Sequence, residues 1–84
     1  MSKASVLVVD DEPGVRDMLT DALHLQGYQV KAVADGFEAL KELRSSHFDL
    51  VVSDINMPKI DGYEMLERMR TVGDATPVIL LTAR

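Results

Sequence analysis

The sequence predicts a three-layer α/β domain, a parallel sheet with helices on both faces. Two observations lead there. The chain alternates short aliphatic runs with amphipathic segments in the order β-α-β-α-β-α-β, joined by short connections. The aliphatic runs Val6-Leu7-Val8-Val9, Leu50-Val51-Val52 and Val78-Ile79-Leu80-Leu81 lack polar alternation, as strands buried on both faces do. Short links between alternating elements imply right-handed crossovers, and so parallel strands.

Each element has its own signal. Ala4 to Val9 reads as the first strand and stops at Asp10-Asp11-Glu12-Pro13-Gly14. Pro13 suits the first turn of a helix, where its missing N–H is no loss, and Asp11 or Glu12 is a possible N-cap. Val15, Met18, Leu19, Ala22 and Leu23 then recur at helical spacing, giving one apolar face, and Gly27 is a natural stop. Tyr28 to Val33 alternates weakly and reads as a second strand, broken by Asp35-Gly36. Phe37, Leu40 and Leu43 mark a short helix to about Arg44, and Phe48 to Ser53 is a third strand. Asp54 to Gly62 holds Pro58 and Gly62 among Asp and Asn and is irregular. Met65, Leu66 and Met69 mark a third helix ended by Gly73 and Asp74, and Val78 to Leu81 is a fourth buried strand. Met18, Met65 and Met69 are expected in the core, Asp35 and Asp61 as turn formers beside glycine, and Arg68 and Arg70 on a solvated face.

Composition bounds the function. A chain of 84 residues is one small domain. It buries only roughly 60–65% of its unfolded surface, so its core is marginal. There are no cysteines, which excludes disulfide scaffolds, zinc ribbons and thiol catalysis. Fourteen acidic residues against nine basic ones give a net charge of −5, the wrong sign for direct nucleic-acid binding. No apolar run is long enough to cross a membrane, and Met1-Ser2-Lys3-Ala4-Ser5 lacks the pattern of a signal peptide, so a cytoplasmic location is expected.

The chemistry points to three acidic residues. In open α/β sheets, ligands bind at the carboxyl ends of the strands. Asp10 and Asp11 follow the first strand and Asp54 the third. If those strands are neighbours, three carboxylates converge, and a hard divalent cation offsets their repulsion. Mg2+ takes one or two carboxylates and keeps waters or a phosphate oxygen, so the pocket suits Mg2+-assisted phosphoryl chemistry better than a closed calcium cage. The plainer reading of Asp11 or Glu12 is as a helix cap.

At these residues the chain resembles a response-regulator receiver domain of two-component signalling, of the flavodoxin-like chemotaxis-regulator type. The resemblance lies in Val6-Leu7-Val8-Val9-Asp10-Asp11-Glu12-Pro13 and in Asp35-Gly36-Phe37-Glu38-Ala39-Leu40. It continues in Val51-Val52-Ser53-Asp54-Ile55-Asn56-Met57-Pro58-Lys59-Ile60-Asp61-Gly62 and in Pro77-Val78-Ile79-Leu80-Leu81-Thr82-Ala83. It implies strand order 2-1-3-4 and Asp54 as phosphoacceptor, forming an aspartyl phosphate with a phosphoryl group from the phosphohistidine of a sensor kinase. It implies Mg2+ as cofactor, held by Asp11 directly, by Asp10 largely through water, by Asp54 and by the backbone carbonyl of Asn56. Thr82 would donate its hydroxyl to the phosphoryl group, and the small Ala83 would leave room for it. Such a receiver is not an enzyme in the usual sense. It switches its contacts to an output domain or downstream protein outside this chain.

The family's Lys at the end of a fifth strand has no counterpart, because the last lysine here is Lys59. The fourth helix, fifth strand and fifth helix are also without counterpart. Residues 1–84 are therefore expected to be the N-terminal two-thirds of a receiver. Only the first helix then covers its face, and Leu50, Val52, Ile79 and Leu81 include uncovered positions. A homo-oligomer through that face or the fourth-strand edge is expected.

Other readings are weaker. An aspartyl-phosphate phosphatase also uses a strand-end Asp, but wants a second Asp where this chain has Asn56. None of the five glycines has the spacing of a phosphate-binding loop. His24 lies off the apolar stripe and His47 just before a strand, and both read as solvated surface. A purely structural module remains the bland alternative.

Overall fold

The computed structural model describes residues 3–81. Seven elements follow in the expected order: β1 (Ser5–Val9), α1 (Pro13–Leu25), β2 (Gln29–Val33), α2 (Gly36–Ser45), β3 (Leu50–Asp54), α3 (Gly62–Thr71) and β4 (Val78–Leu81). The strands form one parallel sheet in the order β2-β1-β3-β4. This is the flavodoxin-like α/β arrangement. Crossovers run outward from β1 and β3, which occupy the middle and are the most deeply buried strands.

Side chains alternate across the sheet and sort the core into two clusters. Leu7, Val9 and Val51 face α2 and α3 and pack with Ala39, Phe48, Met57, Ile60, Met65 and Met69. Val6, Val8 and Val52 face α1, with Leu19, Leu23, Leu50 and Leu81 packed partly buried against them. The helices therefore lie on both faces, two on one and one on the other.

Local chemistry sets the element ends. Pro13 opens α1 after an extended Glu12. Asp35 and Asp61 are N-caps: their carboxylates accept from the Glu38 and Glu64 backbone N–H groups at 2.9 and 2.8 Å. Their expected role as turn formers is thus corrected, since each side chain satisfies a helix donor that would otherwise be unpaired. Gly27 and Gly73 adopt φ of 92° and 82° just past α1 and α3, where a side chain would be strained.

Several boundaries shift. β2 begins at Gln29 rather than Tyr28 and β3 at Leu50 rather than Phe48, while Asp54 is the last residue of β3. Met65 and Met69 are buried as expected, but Met18 is 59% exposed because α1 meets the sheet along a narrow contact. Phe37 also turns outward and lies beneath the Arg68 guanidinium, 5.5 Å from the ring centre. Ala39 takes the buried place on α2 instead.

Candidate metal centre

β1 and β3 pair directly, with Val9 opposite Ser53. One step further along both strands brings Asp10 beside Asp54. The strands end here, so the two carboxylates share a site at the carboxyl edge of the sheet. Asp11 follows on the β1–α1 connection. Carboxylate oxygens of Asp10, Asp11 and Asp54 all lie within 4.8 Å of one another. Asp10 is 1% and Asp54 3% exposed, whereas Asp11 faces solvent.

The backbone holds these residues in place. The Asp10 N–H donates to the Val33 carbonyl at 3.2 Å, extending the β1–β2 ladder. Its Oδ1 accepts from the Glu12 N–H at 2.9 Å. Its carbonyl accepts from Nη1 of Arg16 at 2.7 Å. For Asp54, Oδ1 accepts from the Asn56 N–H at 3.4 Å, and its carbonyl accepts from the Ser53 hydroxyl at 2.8 Å. Arg16 escapes the sequence reading, and Ser53 reads there as strand and motif without a role at the site. The only sequence signal for Arg16 is a cation in the N-terminal part of a helix, where the dipole disfavours it.

Gly62 fixes how closely α3 approaches. A Cβ there would stand 2.7 Å from the Asp54 carbonyl oxygen and 3.0 Å from the Ile55 Cα. The Gly62 N–H donates to the Ile55 carbonyl at 2.8 Å, so the start of α3 rests against the strand end that carries Asp54. Lys59, in the β3–α3 loop, adopts φ of 71° and places Nζ 3.4 Å from Oδ2 of Asp35. The Glu38 N–H bond keeps the Asp35 carboxyl below its ordinary range. Burial opposes this, and Lys59 adds to the lowering.

The donor set is all oxygen and anionic, and two of its members are buried. Such a set fits a hard divalent cation and offers nothing to a soft metal. Charge also argues for a cation, since three carboxylates this close repel one another unless a positive charge sits among them. Of the residues expected at the site, Asp10, Asp11 and Asp54 come together, and Asn56 reaches Asp54 through its backbone. Thr82 lies outside the described residues. Neither histidine belongs to the cluster: His24 is exposed on α1, and His47 pairs with Asp49 at 3.1 Å. Among the described residues, no helix is long and apolar enough to cross a membrane.

Comparison with known proteins gives a consistent result. The profile of the response regulator receiver domain family matches residues 6–84. The sensor histidine kinase RcsC of Escherichia coli K12 is 49% identical over 78 residues, covering 93% of this chain and 8% of that protein. The response regulator MprA of a Mycobacterium species (strain KMS) is 43% identical over 79 residues, covering 94% of this chain and 34% of that protein. This chain thus spans well under half the length of these relatives. The response regulator protein TrrA of Thermotoga maritima, in complex with Mg(2+)-BeF, superposes with a TM-score of 0.90 at 42% identity, over 96% of this chain and 70% of that one. TrrA in complex with the histidine kinase ThkA superposes with a TM-score of 0.88, also at 42% identity, over 95% of this chain and 69% of that one.

Proposed function

The chain belongs to the response regulator receiver domain family, and from that premise we propose that it is a phosphoacceptor, charged on Asp54 by a sensor histidine kinase with Mg2+ as cofactor. The observation that carries this is the meeting of Asp10, Asp11 and Asp54 within 4.8 Å at the ends of β1 and β3. Asp54 is assigned as the nucleophile from the family resemblance, and its place as the buried last residue of β3 is consistent with that role. The TrrA–ThkA complex supports a histidine kinase as donor, and the Mg(2+)-BeF complex supports the ion.

In the proposed step a carboxylate oxygen of Asp54 attacks phosphorus. The P–N bond of the phosphohistidine breaks, and the imidazole nitrogen keeps the electron pair and takes a proton. Asp11, Asp54 and the Asn56 carbonyl would hold Mg2+, with Asp10 largely through water, and the ion would supply positive charge against the transferring phosphoryl group. The Asn56 N–H keeps Asp54 oriented, and Gly62 keeps α3 from crowding it. Thr82, by resemblance, donates its hydroxyl to the new phosphoryl oxygens.

The protein catalyses only its own modification and is not an enzyme acting on free substrate. Its proposed setting is the cytoplasm, with an output domain or partner protein reading the change. It does not bind nucleic acid itself. Ile79 on β4 and the thinly covered α1 face serve self-association into a homo-oligomer.

Incubation with acetyl phosphate and MgCl2, followed by intact mass, tests the reading. A single phosphoryl adduct in the parent and none in Asp54→Asn is expected. An adduct that persists in Asp54→Asn, or turnover of phosphomonoesters without an adduct, overturns it.

A further inference from the structure

α1 begins differently from the other two helices. α2 and α3 carry Glu38 and Glu64 in their first turns, where an acidic group meets the positive end of the helix dipole. α1 has no acidic residue in its first turn, and the next position holds Arg16. A cation there is disfavoured by the dipole, so something else must hold it. Its guanidinium turns back across the β1–α1 connection and donates from Nη1 to the Asp10 carbonyl at 2.7 Å, the short distance of a charge-assisted bond. Arg16 is half-buried in doing so.

That bond adds to the restraint of Asp10. Its N–H is fixed by Val33, its Oδ1 by Glu12 and its carbonyl by Arg16. The Asp10 carbonyl belongs to the peptide unit that joins Asp10 to Asp11. Clamping it sets the plane from which both side chains leave. The geometry points to Arg16 as a positioning residue for the acidic pocket: by holding the Asp10–Asp11 peptide unit, it preforms the arrangement in which these two carboxylates meet Asp54. This inference rests on the metal reading above and adds a residue to it.

Two physical roles for Arg16 predict opposite signs. If the guanidinium acted only as a counter-charge, removing it would leave a more negative pocket and tighten Mg2+. If it positions the ligands, removing it loosens them and weakens Mg2+. Residues that orient metal ligands typically alter affinity by about ten- to a hundredfold. The probe is MgCl2 alone, with affinity read from the rise in melting temperature with Mg2+ concentration. Arg16→Gln is expected to weaken Mg2+ about tenfold. Arg16→Lys, which keeps the charge but loses the planar fork, should fall between Arg16→Gln and the parent. At saturating Mg2+, the phosphorylation rate of Arg16→Gln with acetyl phosphate should return close to the parent's, because the loss lies in binding.

Affinity in Arg16→Gln equal to or tighter than the parent's overturns the positioning role. Should Arg16→Gln fail to fold, unchanged affinity in Arg16→Lys overturns it. Asp11→Ala separates the two levels of inference. If the parent shows a Mg2+-dependent rise that Asp11→Ala abolishes, the metal reading stands whatever Arg16 does. If the parent shows none, both fall.

Discussion

The two faces of the sheet share their strands but not their cover. Facing α2 and α3, the core includes Met65, Met69, Ala39, Phe48 and Ile60 packed on Leu7, Val9 and Val51. Facing α1, the buried hydrophobic residues among those described are Val6, Val8 and Val52, and α1 contributes none. Helix ends follow the same division, since α2 and α3 have side-chain caps from Asp35 and Asp61 whereas α1 opens on Pro13. One face is thus closed by packing and caps, while the other is held mainly by its strands. Stability should therefore depend on the two faces unequally, although both border the site.

The largest test deletes one side chain from each face. Met65→Ala should destabilise by about 2–5 kcal/mol, because its side chain is fully buried. Leu23→Ala, half-buried on α1, should cost about 1 kcal/mol. Urea midpoints compare the pair, and equal losses would break the contrast. Glycines sharpen it next. Gly62→Ala drives a Cβ to 2.7 Å from the Asp54 carbonyl and should cost about 1–3 kcal/mol, with loss of Mg2+ stabilisation. Gly14→Ala meets no atom within 4 Å and should stabilise by up to about 1 kcal/mol.

Capping gives a smaller, pH-dependent effect. Asp35→Ala should cost about 1 kcal/mol at neutral pH. The Asp35 carboxyl lies below its ordinary value of 3.8 when folded, chiefly through the Glu38 N–H. Its contribution is therefore fully present above 3.8 and is lost as pH falls through the lowered value. Thermal melts of parent and variant should converge in strong acid and separate again above that range. The smallest effect on stability belongs to Ile79→Lys. Ile79 is 49% exposed, so the change should stay within about 0.5 kcal/mol. Light scattering should nevertheless show self-association weakened, and an unchanged assembly would show that this surface is not the contact.

The sequence was most legible where burial is complete. The central strands lie in water on neither face, so their aliphatic runs are unmistakable, and the acidic residues at their ends follow from where those runs stop. Legibility fell on helices that touch the sheet along one line. Met18 has the spacing of a core residue, yet on the α1 stripe it is Leu19 and Leu23 that pack against the sheet. Phe37 looks like an anchor but lies outside under Arg68, and the buried places on α2 go to Gly36 and Ala39. Asp35 and Asp61 were legible as breaks but not as caps, since an Asp-Gly pair suits a turn and a helix start alike. Arg16 had only a misplaced cation near a helix start to mark it, because its partner is a backbone carbonyl that any residue could supply.

Asp10 and Asp54 become neighbours only when β1 and β3 pair, and the crossover between those strands contains α1, β2 and α2. No local segment can assemble the pocket alone. Closing so long a connection is a slow, entropically costly event in chain collapse. An ion that needs both strand ends finds its ligands only after that barrier has been crossed. Mg2+ should accordingly act as a brake on the way out, slowing the unfolding rate while leaving the refolding rate unchanged. The acidic pocket is then a lock on a finished sheet, not a seed for building one.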